Sequence, residues 1–104
     1  MPEQNPVELS FTCDFDERTE WETPQKGWFD QVLVHLPNGD TVHVGFWDPV
    51  RLSQDLERTL KAGGRCIGEP GIIIVPEVTV ENMKAAVQEL YDTGYFDRLR
   101  SLFV

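Results

Sequence analysis

Cysteine, histidine and serine are scarce in this chain, whose 104 residues include two cysteines, two histidines and three serines. Cys13 and Cys66 fall in different segments, and buried free thiols are the expectation for such a pair in a reducing compartment. Ser10, Ser53 and Ser101 lie in no nucleophile-elbow context, which leaves the base-beside-nucleophile logic of acyl transfer without support. Long apolar runs are missing as well. The longest, Ile72-Ile73-Ile74-Val75, is far short of the roughly 20 residues of a membrane helix. The acidic N-terminus lacks the basic, then apolar, layout of a signal peptide, so a cytoplasmic location without membrane association is expected. Positive charge is the remaining shortage: 9 basic residues face 18 acidic ones, for a formal net charge of −9. Two thirds of that excess sits in residues 1–30, where eight acids meet only Arg18 and Lys26. Such a field repels nucleic-acid phosphate and anionic lipid and attracts a basic protein, so nucleic acid is not an expected partner.

What the chain does have is a legible β-hairpin. Gln31–Leu36 and Thr41–Phe46 are rich in β-branched and aromatic residues, and Asn38-Gly39 between them tolerates the positive φ of a tight reversal. The second strand runs into Trp47-Asp48-Pro49, where Asp48 can cap a helix and Pro49 can occupy its first position. Leu52, Leu56 and Leu60 then recur at four-residue spacing, Glu57 and Lys61 can pair across one turn, and Gly63-Gly64 supplies a left-handed stop. Upstream, Val7, Leu9, Phe11, Cys13 and Phe15 alternate with polar residues, the period-two pattern of a strand with one buried face. Arg18–Lys26 reads as a polar, proline-containing connection that carries Trp21 and closes at Gly27-Trp28. Gly71–Val75 lacks alternation and suits a short strand covered on both faces. Thr79 can cap a further helix with Met83, Ala86, Val87, Leu90 and Tyr91 on one stripe, and Phe96, Leu99 and Leu102 suggest a last helical turn or two.

The length suits one domain over residues 1–104. Its expected class is α+β: a β-β-β-α-β-α two-layer sandwich, with a four-stranded, mostly antiparallel sheet and two helices on one face. The favoured strand order is 3-2-1-4. Counting out from a turn centred on Asn38-Gly39 places Phe29, Leu33, Val42, Val44 and Phe46 with His35 on the helix-covered face. Val32, Val34, Leu36 and Trp47 then share the open face with Thr41 and His43. Leu9, Phe11, Leu33, Val44, Leu56, Ile73, Val87 and Leu90 are the expected core. On this count Leu33→Glu unfolds the domain, whereas Val34→Glu leaves it folded and weakens association.

No motif carries a chemistry. Asp14-Phe15-Asp16 has the aspartate spacing of haloacid dehalogenase phosphatases, but Arg18 stands where that motif needs Thr or Val. His35 and His43 are expected on opposite faces and so cannot share a metal. Gly63-Gly64-Arg65 and Gly68-Glu69-Pro70-Gly71 open no helix and lack P-loop spacing. No metal, cofactor or catalytic residue is therefore expected. The expected function is a non-catalytic, acidic protein-interaction module, in the manner of an inhibitor, antitoxin or immunity protein, that binds or masks a protein partner or self-associates. Its candidate contact residues are Val32, Val34, Leu36 and Trp47 on the open strip, Glu8 beside it, and Trp21 and Trp28, because tryptophan is enriched where surfaces bind. The alternatives are a small-ligand or accessory domain that uses the tryptophans for stacking, and a small enzyme with an acidic cleft.

Overall fold

A computed structural model describes residues 7–101, with the side chains of 7–99. Its elements are β1 (Glu8–Phe11), α1 (Glu17–Lys26), β2 (Trp28–His35), β3 (Thr41–Trp47), α2 (Pro49–Lys61), β4 (Ile72–Ile74), α3 (Val80–Asp92) and α4 (Tyr95–Ser101). This is an α+β arrangement with a four-stranded mixed sheet, β1 and β2 antiparallel, β2 and β3 antiparallel, β3 and β4 parallel. The strand order is 1-2-3-4. It corrects the expected 3-2-1-4: after α2 the chain lays β4 on the open side of β3 instead of crossing to β1. Leu102 lies outside the described residues.

The hairpin turns where expected, but with a different geometry. Gly39 N–H donates to the Leu36 carbonyl at 3.0 Å and Leu36 N–H to the Asp40 carbonyl at 2.9 Å, with Gly39 at φ 95°. Pro37 and Asn38 are therefore the central residues of the turn, and Gly39 is the left-handed residue of a bulge behind it, a three-residue loop. Proline's fixed φ near −65° suits the first central position of a type I turn. Asn38 secures the loop by accepting from Asp40 N–H at 2.9 Å.

One extra loop residue shifts the register by one and exchanges the faces of β2. The observed pairs are Val34↔Val42, Val32↔Val44 and Leu33↔His43. Val32 and Val34, expected on the open strip, are instead fully buried beside Val44 and Phe46. Leu33 moves to the opposite face and is only half-buried. His35 and His43, expected on opposite faces, share the face of Leu33.

The core forms where α3 and α4 meet that apolar face. Thr79 Oγ1 accepts from Asn82 N–H at 3.1 Å, which starts α3 so that Met83 and Val87 point at the sheet, both without solvent exposure. Phe96 of α4, Ile73 of β4, and Val75 and Val78 beyond it complete the buried set. Leu9, Phe11 and Leu90 pack on its margin as partly buried side chains. Leu56 does not join it, for a reason that lies in α2. β4 is likewise covered on one face only, since Ile73 is buried and Ile74 is 46 % exposed.

The segment expected as a loop is α1. Asp16 Oδ1 accepts from Thr19 N–H at 2.8 Å, Glu17 and Glu20 occupy the first turn, and Lys26 stands in the last. Each charge complements the helix dipole. Glu22 pairs with Arg18 at 2.9 Å and with Lys26 at 3.7 Å, one turn to either side. Pro24 removes one ladder bond near the C-terminal end without ending the helix, and Gly27 closes it at φ 79°.

Candidate interaction surface

The face opposite the core is organised by one joint. Asp48 Oδ1 accepts from Arg51 N–H at 2.7 Å and so caps α2, while Asp48 N–H donates to the Gly27 carbonyl at 2.8 Å. A Cβ on Gly27 would lie 2.7 Å from Asp48 Oδ2, so the end of α1 and the start of α2 meet at a point only glycine permits. Trp28 and Trp47 flank this joint in sequence and pair across β2 and β3. Their rings stack with centroids 6.1 Å apart and an interplanar angle of 25°. Gly45 makes room for the stack: a Cβ there would meet Trp47 Cζ3 at 2.5 Å.

α2 approaches this tryptophan pair with its charged stripe. The Arg51 guanidinium lies over the Trp28 ring, 5.7 Å from its centroid, a cation–π arrangement. Trp47 Nε1–H donates to Asp55 Oδ2 at 3.0 Å, and Asp55 Oδ1 pairs with Arg51 and Arg58, each at 3.1 Å. Leu52, Leu56 and Leu60 form a second stripe roughly 100° further round the helix. None of α2 is buried. The Asp55 side chain is 22 % exposed, whereas Leu56 is 38 %, Leu60 52 % and Val50 67 % exposed. The helix is amphipathic and capped as its sequence requires, but it is rotated so that Arg51, Leu52 and Asp55 sit inward while Leu56 and Leu60 lie at the exposed margin. Gly63 N–H to the Leu60 carbonyl at 3.1 Å and Gly64 N–H to the Thr59 carbonyl at 2.9 Å end it in a Schellman motif, with Gly63 at φ 94°.

Beyond the tryptophans the open face turns polar. His35 Nε2 and Ser10 Oγ are hydrogen-bonded at 2.7 Å, with Thr41 Oγ1 at 3.4 Å from His35 Nδ1. His43 Nε2 bonds the Asp30 carbonyl. Each imidazole is thus engaged by its own neighbours.

Of the candidate contact residues, the structure brings together Trp28 and Trp47. Val32 and Val34 belong to the core, a direct result of the register. Leu36 is half-buried at the hairpin end, Glu8 is exposed on β1 opposite His35, and Trp21 projects from α1 at 68 % exposure outside the stack. The residues that sequence reasoning missed are Arg51, Asp55, Leu56, Leu60 and Ile74. The signal was present: Arg51-x-x-x-Asp55 is a four-residue charge pair on the helix face that follows two tryptophans. Cys66, expected to be buried, is exposed. Among the described residues no helix is long and apolar enough to cross a membrane. No protein-family model matches the chain, and comparison with curated proteins and with solved structures gave no match.

Proposed function

We propose that the protein is an acidic interaction module that docks a basic protein partner on the leucine stripe of α2. One observation carries the reading: α2 spends its polar stripe on the tryptophan pair and leaves Leu56, Leu60 and Val50 to solvent. An amphipathic helix oriented in this way leaves part of its apolar stripe uncovered by its own fold, and exposed apolar area of this kind marks interfaces. The net charge of −9 selects the partner's sign, because complementary potential steers association and excludes like-charged proteins. The tryptophan pair acts as the rigid seat that fixes α2. Inhibition or masking of the partner is the corresponding activity.

A paired capture experiment tests this. Wild type and the Leu56→Glu/Leu60→Glu variant are immobilised in native extract, with Trp21→Glu as a surface control and circular dichroism to verify folding. The reading expects a basic protein retained by wild type and by Trp21→Glu, lost from the α2 variant, and released as salt is raised. Identical captured sets for wild type and the α2 variant overturn it. So does a wild-type dimer by light scattering that becomes a monomer in the α2 variant, since the stripe would then be a self-contact.

A further inference from the structure

The shortness of β4 leaves part of β3 without a neighbour. In an antiparallel ladder, bonded pairs recur at every second residue, and Leu36 N–H to the Asp40 carbonyl at 2.9 Å marks one such pair. Val42 and Val44 therefore bond towards Val34 and Val32, and Thr41, His43, Gly45 and Trp47 aim their N–H and C=O groups at the other edge. Two bonds agree with this parity: Gly45 N–H to the Gly71 carbonyl and Val75 N–H to the Trp47 carbonyl, both 2.9 Å. Pairing with β4 begins only at Gly45↔Ile72. Among the described residues, the N–H and C=O of Thr41 and the N–H of His43 meet no strand on this edge.

A cavity of about 520 Å³ opens beside the same stretch. Leu36 and Val42 of the hairpin and Phe96 and Leu99 of α4 supply its apolar lining, and Asp97 a carboxylate at its rim. No lysine or arginine is among the described residues that line it. Pro70, also in the lining, closes the strand line where the chain enters β4.

We propose that this edge accepts an extended peptide segment with alternating basic and apolar residues, added to the sheet as a strand alongside Thr41–His43. Unpaired backbone groups on an edge bind extended chains through main-chain hydrogen bonds, and a pocket beside them selects alternate side chains. Here the open length suits about three residues at roughly 3.3 Å each. One apolar side chain enters between Val42 and Phe96, and its neighbours carry the positive charge that Asp97 and the acidic chain as a whole favour. This site is separate from the α2 stripe, and Leu56→Glu/Leu60→Glu leaves it intact.

The test is titration of ¹⁵N-labelled protein with a capped Lys-Val-Lys-Val-Lys-Val peptide, read by amide shifts and hydrogen exchange. The amides of Thr41 and His43 are expected to shift and to exchange more slowly. Alternate N-methylation of the peptide should weaken binding about tenfold or more, the loss expected when strand hydrogen bonds are removed. Asp97→Lys should weaken it severalfold at low salt. Unmoved Thr41 and His43 amides overturn the proposal, as does equal binding of the capped Glu-Val-Glu-Val-Glu-Val peptide or of the N-methylated one. Saturation of the same resonances by butylamine or valinamide alone would make the cavity a small-molecule site. Concentration-dependent shifts without peptide would make the edge a contact between copies of the chain. Either result also overturns it.

Discussion

On one face of the sheet Met83, Val87 and Phe96 close over Val32, Val34, Val44 and Phe46 with almost nothing left to water. On the other, α2 sets Arg51 and Asp55 against two tryptophans and leaves Leu56 and Leu60 exposed. The first face is held by transfer of apolar surface, about 1.5–3 kcal/mol for each fully buried aliphatic or aromatic side chain. The second is held by a cap, a cation–π contact and hydrogen bonds, each worth about 1 kcal/mol in such half-exposed settings. A helix fixed by directional polar contacts keeps its position without consuming its apolar stripe. That is how a small domain can carry a stable element and an exposed apolar surface on one helix.

The sharpest way to break this comparison is to put the same charge on neighbouring residues of β2. Val34→Glu places a carboxylate in a site with no exposure, at a cost of several kcal/mol against a total stability of about 5–15 kcal/mol. It should abolish the cooperative thermal transition followed by circular dichroism. Leu33→Glu, half-buried on the open face, should retain it. If Leu33→Glu is the variant that unfolds, the register described here is wrong.

Truncation to alanine gives a graded version. Met83→Ala should cost about 2–5 kcal/mol by lost transfer energy and a cavity, and Leu56→Ala distinctly less, about 1 kcal/mol, because that side chain is 38 % exposed and lies outside the core. Urea midpoints measure both, and equal losses would mean that α2 is packed like α3. At the joint that seats α2, Asp48→Ala should cost about 1 kcal/mol through loss of the cap. The same titration should also report a shift in tryptophan fluorescence, as the stacked pair loses its support.

The smallest effect concerns α1. The N–H of Thr19 beside Asp16 holds that carboxyl below its usual range. A lowered folded-state value means that the cap contributes in full above the ordinary carboxylate value of about 3.9 and is lost as pH falls through the folded value. The Thr19 amide resonance, followed from about pH 5 to about pH 2, should titrate with a midpoint below about 3.9. A midpoint at or above that value removes the cap.

Local features were legible because they rest on one or two residues. Asp48 and Pro49 announced α2, Gly63-Gly64 its end, Thr79 the start of α3, and the alternation from Val7 to Phe11 the inward face of β1, although the strand stops at Phe11 and does not run on to Phe15 as the alternation predicts. The misreadings each came from a choice that neighbouring residues do not settle. Asn38-Gly39 supports a two-residue turn and Pro37-Asn38-Gly39 a three-residue one, and the difference inverts β2. Pro24 obscured α1, although Asp16, the acidic first turn and Gly27 bracket a helix. The leucines of α2 form one stripe that predicts Leu56 in the core, because an apolar stripe ordinarily faces one. Their orientation depends on Trp28, more than twenty residues upstream, which gives Arg51 a better partner than solvent.

The bulge at Gly39 gives the turn a significance for inheritance that its exposed position conceals. Point substitutions between Leu36 and Thr41 alter a surface loop, but loss or gain of a single codon there would transpose every side chain of β2. Val32 and Val34 would then face water, and Leu33 and His35 would enter the interior. Loops ordinarily absorb insertions and deletions more readily than strands do. In this protein the five-residue interval from Leu36 to Asp40 acts as a counting device, and its length should be under stricter selection than its composition.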